Sequence, residues 1–150
     1  MMANGIWGEY LALLGKVTKT LEELTAVEQA KVNAVNQRDL PTVEQCMKKE
    51  QAYSLNLRGL DQKREKLLDQ LGMRGVPLRG IMDHCPDGAE EETARAADAL
   101  RRQYAVFQSA SEASRSTLEI HLHVIEELQK QANGGELSQD APPMKADFRA

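Results

Sequence analysis

Apolar side chains recur at alternating steps of three and four residues along three long stretches of this chain. A step that averages 3.5 residues keeps one face of a helix turned toward a partner helix. The first stretch covers residues 5–37, and Asn4 is its expected N-cap because its side-chain oxygen can accept an early backbone N–H. The spaced positions of this stretch are Trp7, Tyr10, Leu14, Val17, Leu21, Leu24, Lys31 and Val35.

A second helix is predicted from Leu40 to Leu71. Asp39 is a favourable N-cap, and Pro41 is tolerated in a first turn because its missing N–H has no partner there. Gly72 suits the left-handed conformation that often closes a helix. Only a residue or two separates the first two helices, so we expect an antiparallel hairpin. The inward positions of the second helix are Val43, Cys46, Glu50, Tyr53, Leu57, Leu60, Arg64, Leu67 and Leu71.

The third periodic stretch is longer than the other two. Residues 72–86 contain several Gly and Pro, so the second helix cannot continue through them. Asp87 and Glu90 resemble a capping box that opens a third helix, which ends before Gly134. This helix exceeds the others by about 12 residues, or roughly 18 Å, so its C-terminal end is expected to extend beyond the hairpin. One short helical turn is predicted between the second and third helices, at Leu78, Ile81 and Met82.

Together these elements predict an all-α fold, an elongated antiparallel three-helix bundle or coiled coil, as one domain over residues 1–133. Residues 134–150 contain Pro142 and Pro143 and few apolar side chains, which predicts a disordered C-terminal tail. The composition supports long helices. Ala, Glu, Lys, Leu and Arg supply 70 of the 150 residues, close to the half that is typical of coiled coils.

The charge balance and the scarcity of reactive residues exclude several classes of function. A formal net charge of −4 offers no basic surface for nucleic acid, and no apolar run approaches the roughly 18 residues of a membrane span. The first ten residues do not read as a secretory signal, and two cysteines do not make a disulfide framework, so we expect a cytoplasmic location. His121 and His123 point in different directions on a helix. No motif predicts catalysis, a cofactor or a metal.

Two charged residues occupy inward positions of the second helix. Glu50 and Arg64 lie four turns apart and cannot pair with each other, so each needs a partner on another helix or contact with solvent. They are either exposed charges or polar residues that fix the register of the helices. Ser111 and Ser114 interrupt the apolar pattern of the third helix, where small residues permit close approach or leave a groove.

The last turns of the third helix carry an apolar strip that is wider than one narrow contact buries. The strip fits either a helix packed on both arms of the hairpin or an exposed groove for an amphipathic partner helix. The predicted extension beyond the hairpin favours the second interpretation. The C-terminal strip, as we call it, consists of Leu118, Leu122, Val124, Ile125 and Leu128, with Ile120 beside it.

The whole pattern over residues 5–132 resembles the FlgN family of flagellar export chaperones. Shared features are the long first helix, Arg38-Asp39-Leu40 at the hairpin, and Tyr104 and Phe107 before a small polar layer. Where the family often carries Asn in that layer, this chain has Ser111 and Ser114. Further positions that carry the resemblance are Tyr10, Leu11, Leu13, Leu14, Leu21, Leu24, Glu50, Leu57, Leu60, Arg64, Leu67, Leu68 and Leu118.

The resemblance implies a cytoplasmic, non-enzymatic chaperone. Such chaperones bind the amphipathic terminal helices of hook–filament junction proteins, prevent premature assembly, and deliver them to the type III export apparatus. In the family the client contacts concentrate toward the C-terminal part, which corresponds in this chain to the C-terminal strip. Each Leu or Ile buried by a client would contribute about 1.5–3 kcal/mol of transfer free energy, reduced by the cost of ordering both segments.

Two other interpretations remain open. The chain could be a structural or regulatory coiled-coil module that only self-associates, since an exposed strip can close a homodimer by isologous packing. A tight dimer that stays intact would favour this module, whereas the monomer or weak homodimer that we expect favours the chaperone. An enzyme or metal protein would rest on His84, Cys85 and His121 alone, and for these three we expect no catalytic or metal-binding role.

Overall fold

A computed structural model of the chain describes the backbone of residues 2–133 and the side chains of residues 5–133. Within these residues the fold is all helical, as predicted, and contains no β-strand. None of the described helices carries an apolar segment long enough to cross a lipid bilayer. The tail predicted at residues 134–150 lies outside the described residues. The helices are α1 (Met2–Asn36), α2 (Leu40–Gln70), a 3-10 helix (Leu78–His84) and α3 (Glu90–Ala132).

The turn between α1 and α2 is closed by backbone hydrogen bonds. Arg38 adopts a left-handed φ of 59°, so that its N–H donates to the Val35 carbonyl and the Asp39 N–H donates to the Ala34 carbonyl at 2.8 Å. This pair of bonds satisfies carbonyls that the end of α1 would leave unpaired. Asp39 then caps α2, because its carboxylate accepts the Thr42 N–H at 3.3 Å. The predicted N-cap is confirmed.

Gly72 ends α2 in the predicted left-handed conformation, with φ of 73°. The Met73 N–H donates to the Leu68 carbonyl at 2.8 Å, and the Gly72 N–H donates to the Asp69 carbonyl at 3.1 Å. These two bonds are the pattern of a Schellman motif. The motif directs the chain back toward the bundle, where Met73 and Leu68 join the same buried cluster.

Two predicted helix starts are wrong. α1 begins at Met2, so Asn4 lies inside its first turns and is not the N-cap. α3 begins at Glu90 rather than at Asp87, and its N-cap Ala89 makes no side-chain hydrogen bond. The Glu90 carboxylate instead accepts the N–H of Gly88, whose φ of 89° turns the chain before the helix begins. The capping box fails because this turn leaves Asp87 outside the helix.

α1 and α2 form the predicted antiparallel hairpin. Lys31, near the end of α1, bonds to Glu50 near the start of α2, whereas Thr20 accepts from Asn56 further along α2. Since these contacts pair later residues of α1 with earlier residues of α2, the helices run in opposite directions.

α3 packs beside α1 in the parallel direction. Trp7 near the start of α1 bonds to Thr93, and Asn36 at its end meets His121. Within the described residues, no Cα atom of α2 lies within 8 Å of a Cα atom of α3. α1 is therefore the middle helix, and the backbone of α3 lies close to that of α1 and not to that of α2.

The main apolar core lies at the end of the molecule that holds the 3-10 helix. The Trp7 and Tyr10 rings stack at an angle with centroids 5.6 Å apart. Thr93, fully buried, accepts hydrogen bonds from the Trp7 indole at 3.0 Å and from the Cys85 thiol at 3.3 Å. The short helical turn that the sequence predicted closes this end through Ile81. The buried core cluster comprises Trp7, Tyr10, Leu14, Leu68, Met73 and Ile81.

Candidate binding surfaces

The C-terminal part of α3 extends beyond the end of α1. The side-chain oxygen of Asn36, the last residue of α1, lies 3.1 Å from Nε2 of His121. α3 continues from there to Ala132, which is about 16 Å further at 1.5 Å per residue. From His123 to Asn133 every side chain is exposed. The structure therefore leaves an uncovered helical segment where the sequence predicted one.

The predicted binding residues lie along this segment with graded exposure. Leu118 and Leu122 are half-buried beside the end of α1. Val124, Ile125 and Leu128 are about half exposed, at 47%, 51% and 56%. The strip thus begins in contact with the bundle and ends in the open. A docked helix would bury the outer three residues and would be anchored by the inner two.

Acidic side chains border the C-terminal strip. Glu119 and Glu126 are exposed and make no ion pair within the described residues, whereas Glu127 lies 3.8 Å from Lys130 on the next turn. A helix that docks on the strip would therefore be favoured if basic residues flank its own apolar face.

A cleft opens between α2 and α3, with α1 as its floor. Its volume is about 1100 Å³, and it exists because the backbones of the two outer helices are not in close contact. Tyr104 is 51% exposed at one side of it, although the sequence places this residue on the inward face of α3. Sequence reasoning missed the cleft because the spacing of apolar residues shows that a face points inward, but not which helix covers it. The apolar residues that line it include Leu14, Val17, Leu21, Leu57, Leu78 and Leu100.

Glu50 finds its partner on another helix. The Lys31 ammonium donates to Glu50 Oε2 at 2.6 Å and lies 3.7 Å from Glu28 Oε2. Burial raises the pKa of Glu28 to about 7, and a hydrogen bond with Glu50 adds to the rise, whereas nearby Ser114 and Lys31 oppose it. The Ser114 hydroxyl from α3 is buried without a well-formed hydrogen bond in the described part of the chain. These residues form a polar layer between the three helices.

Glu28 is the member of the polar layer that sequence reasoning did not single out. It precedes Lys31 by three residues and so shares its helix face, which was the available signal. Glu50 and Lys31 were both placed at inward positions, and the structure joins them. This outcome fits the interpretation that polar inward residues fix the register of the hairpin.

Arg64 behaves differently from Glu50. Its Nε donates to Asp61 Oδ1 at 3.2 Å on its own helix, and its side chain keeps 28% of its exposure. Burial raises the pKa of the Tyr10 hydroxyl, and the nearby Arg64 guanidinium opposes that rise. Arg64 thus covers the edge of the aromatic core while its charge reaches solvent.

The cysteines and histidines do not converge. Cys46 is buried against α1, as predicted, and burial raises the pKa of its thiol. Cys85 lies at the opposite end of the molecule, and its thiol donates to Thr93. Within residues 5–133 no three His, Cys, Asp or Glu side chains are grouped closely enough to hold a metal ion.

The comparisons with known proteins found no relative of this chain. No family model, curated protein or solved structure matches this chain. The function must therefore be inferred from the surfaces that its own residues build.

Proposed function

We propose that this protein is a cytoplasmic, non-enzymatic chaperone for flagellar export. In this proposal it binds the amphipathic terminal helices of hook–filament junction proteins, prevents their premature assembly and delivers them to the type III export apparatus. The fold would act as an elongated antiparallel three-helix bundle that presents the free end of α3 to the client. The observation that carries the proposal is the exposed apolar segment of α3 beyond Asn36.

The mechanism follows from what an uncovered apolar helix face can do. A client helix laid along the C-terminal strip would bury Val124, Ile125 and Leu128, which solvent now contacts. The same contact would hide the apolar face of the client, so that it could neither self-associate nor be cleaved. Because the contact spans a few turns of one helix, its affinity would be moderate, which suits a complex that must later release its client.

Hydrogen exchange tests where the client binds. The side chains of residues 123–132 are all exposed in the described part of the chain, so the amides of this segment should exchange faster than those of residues 95–110 in the free protein. Addition of a hook–filament junction protein from the same genome should slow exchange over residues 115–132. If protection appears elsewhere and not there, the strip is not the client site.

A matched pair of variants separates the strip from general surface hydrophobicity. Leu128→Ser removes an apolar side chain that is 56% exposed on the strip, and Leu55→Ser removes one that is 65% exposed on α2. Loss of one such contact should weaken client binding by about tenfold or more. We expect Leu128→Ser to do so in calorimetric titration and Leu55→Ser to bind as the wild type does. Equal effects of both variants would contradict the proposal.

A further inference from the structure

The polar layer between the three helices contains two carboxylates and one ammonium. The side chains of Glu28, Glu50 and Lys31 are 8%, 19% and 11% exposed. The Lys31 ammonium is closer to Glu50 than to Glu28, so its charge mainly compensates Glu50. Near Glu50 on α2 lie Lys49, which is exposed, and Cys46, whose thiol stays neutral because burial raises its pKa. When both carboxylates are ionised, one buried negative charge has no counter-charge, which is unfavourable.

α3 covers the polar layer without bringing a charge to it. Ser114 is 2% exposed, and its hydroxyl faces Glu28. The next residue, Arg115, is exposed and projects about 100° away from Ser114. His121 lies two turns further along the same face and contacts Asn36 at the end of α1. Within the described part of the chain, α3 therefore supplies no cation that would stabilise an ionised Glu28.

The hold of α3 on α1 weakens after Ser114, which is the last buried side chain of α3 within residues 5–133. α2 is tied more firmly to the polar layer, because the Lys31–Glu50 ion pair joins it to α1 and the connection at residues 37–39 is short. α3 is thus the element that can move away from Glu28 most easily. Four half-buried residues follow Ser114 before the exposed segment begins: Thr117, Leu118, His121 and Leu122.

We propose that the polar layer is a proton-controlled switch that holds residues 114–122 of α3, the attached segment, against α1. With a proton on Glu28, its O–H donates to a Glu50 oxygen and the layer is electrically neutral. Loss of this proton leaves one buried negative charge. Water can solvate that charge when the attached segment moves away from α1, so ionisation of Glu28 favours the open arrangement.

The direction of the switch follows from proton linkage. Burial and the hydrogen bond with Glu50 raise the pKa of Glu28 to about 7 in the closed arrangement, and solvation returns it toward its usual 4.5. The closed arrangement therefore binds the proton more tightly. Attachment is strongest below pH 4.5, weakens as the pH rises to 7 and changes little above that. Between about pH 5.5 and about pH 8.5 the equilibrium constant for opening should rise roughly thirtyfold.

Opening would extend the C-terminal strip toward the middle of α3. In the closed arrangement Leu118 and Leu122 are half-buried, whereas Val124, Ile125 and Leu128 are already exposed. In the open arrangement all five would lie on one accessible apolar face. A client helix could then bury more apolar surface, so it should bind more tightly at higher pH. This consequence rests on the proposed function, whereas the opening itself does not.

Hydrogen exchange of the full chain without a client tests the opening. Protection factors, which correct for intrinsic exchange at each pH, should fall roughly thirtyfold over residues 114–122 between about pH 5.5 and about pH 8.5. At the higher pH this segment should be at least about tenfold less protected than residues 93–105, because the opening is local. Equal protection of the two segments would mean that α3 opens only when the whole fold does, which would overturn the proposal.

Glu28→Gln tests whether this proton controls the attachment. Its amide is neutral and can donate to Glu50 as a protonated carboxyl does, so protection over residues 114–122 should vary less than about threefold between the two pH values. Glu22→Gln, at an exposed position of α1, should behave as the wild type does. Failure of Glu28→Gln to fold would contradict the stabilising role of a neutral group.

His121 is the other titratable side chain on this face of α3, and His121→Asn controls for it. This variant should keep the thirtyfold pH response of the attached segment. A response that survives in Glu28→Gln would overturn the proposal, and its loss in His121→Asn alone would assign the switch to the histidine.

Client binding gives a separate readout. In calorimetric titration with a hook–filament junction protein, the wild type should bind at least about threefold more tightly at about pH 8.5 than at about pH 5.5, relative to Glu28→Gln at the same two values. The expected exchange behaviour without client binding at either pH would contradict the proposed function and support the switch. Client binding with no pH-dependent difference between the two proteins would overturn the link between the switch and the strip.

Discussion

The two ends of the molecule are held together by different kinds of contact. At the end with the 3-10 helix, Tyr10, Ile81 and Thr93 are each fully buried, and four segments of the chain close around them. Toward the hairpin turn, Lys31 of α1 forms an ion pair with Glu50 of α2. There α3 extends beyond the end of α1. One end therefore holds most of the apolar packing, and the other end holds the exposed apolar segment of α3.

The difference shows what closes a helical bundle with few aromatic residues. The Gly- and Pro-containing segment after α2 folds back and brings Met73 and Ile81 onto Trp7 and Tyr10. The three-residue connection between α1 and α2, residues 37–39, brings no comparable side chain, since Leu40 beside it is 69% exposed. A short loop determines direction, whereas a longer loop can also supply core residues.

The largest effect on stability is expected at the end that holds the 3-10 helix and the core cluster. Leu14→Ala removes a fully buried side chain from the core cluster, and such a cavity should lower the free energy of unfolding by about 3 kcal/mol. Its matched control, Val124→Ala in the exposed segment of α3, should change it by less than about 0.5 kcal/mol. Urea denaturation measures both. Similar losses would mean that the two ends do not differ in packing.

The second largest effect on stability is expected from the buried Thr93 hydroxyl. Thr93→Val deprives the Trp7 indole N–H of its acceptor inside the core, and an unpaired buried donor costs about 1–3 kcal/mol. The hydroxyl lost in Thr18→Val bonds only to the Leu14 carbonyl of its own helix, so the stability of that variant should fall much less. Thermal unfolding followed by the fluorescence of the single tryptophan compares the two. A loss for Thr18→Val as large as that for Thr93→Val would contradict this role.

The polar layer predicts a pH dependence at the open end. Burial raises the pKa of Glu28 to about 7 in the folded chain, above its usual 4.5, so the folded protein binds this proton more tightly. The stabilisation is therefore fully present below pH 4.5 and is lost as the pH rises through 7. Glu28→Gln should flatten the stability profile between pH 4.5 and 7, and Glu22→Gln at an exposed position should not. Urea denaturation at a series of pH values measures the profiles, and an unchanged profile for Glu28→Gln would show that this carboxyl is not their source.

The smallest change in the free energy of unfolding is expected at Arg38, in the turn that ends α1. Arg38 holds a left-handed conformation that Gly72 adopts without strain. Arg38→Gly should raise the free energy of unfolding by about 1 kcal/mol, whereas Arg38→Ala keeps the strain and should not. Chemical denaturation of the three proteins measures the difference. Stabilisation by both variants would point to the charge of Arg38 instead of its backbone.

Much of the fold could be predicted from residue spacing alone. The periodic stretches located α1 and α2 within about three residues at each end. Asp39 and Gly72 marked the two ends of α2, because the Asp39 carboxylate accepts a backbone N–H and Gly72 has no Cβ to oppose a positive φ. The predicted start of α3 was wrong because Gly88 turns the chain there, and a positive φ at one glycine leaves no periodic signal. The exposed end of α3 followed from helix lengths, which are also local.

The tertiary structure decided the rest. Periodicity shows that a face is apolar, but it does not show which helix covers it, so the gap between α2 and α3 had no signature in the sequence. The raised pKa of Glu28 depends first on its burial between the helices and then on a hydrogen bond with Glu50 from α2, and neither can be read from the spacing of residues along the chain. The sequence by itself determined the approximate helix lengths, the two ends of α2 at Asp39 and Gly72, and the uncovered end of α3, because these depend on neighbours along the chain. Only the packing decided which apolar faces stay open, because that depends on contacts between residues far apart in sequence.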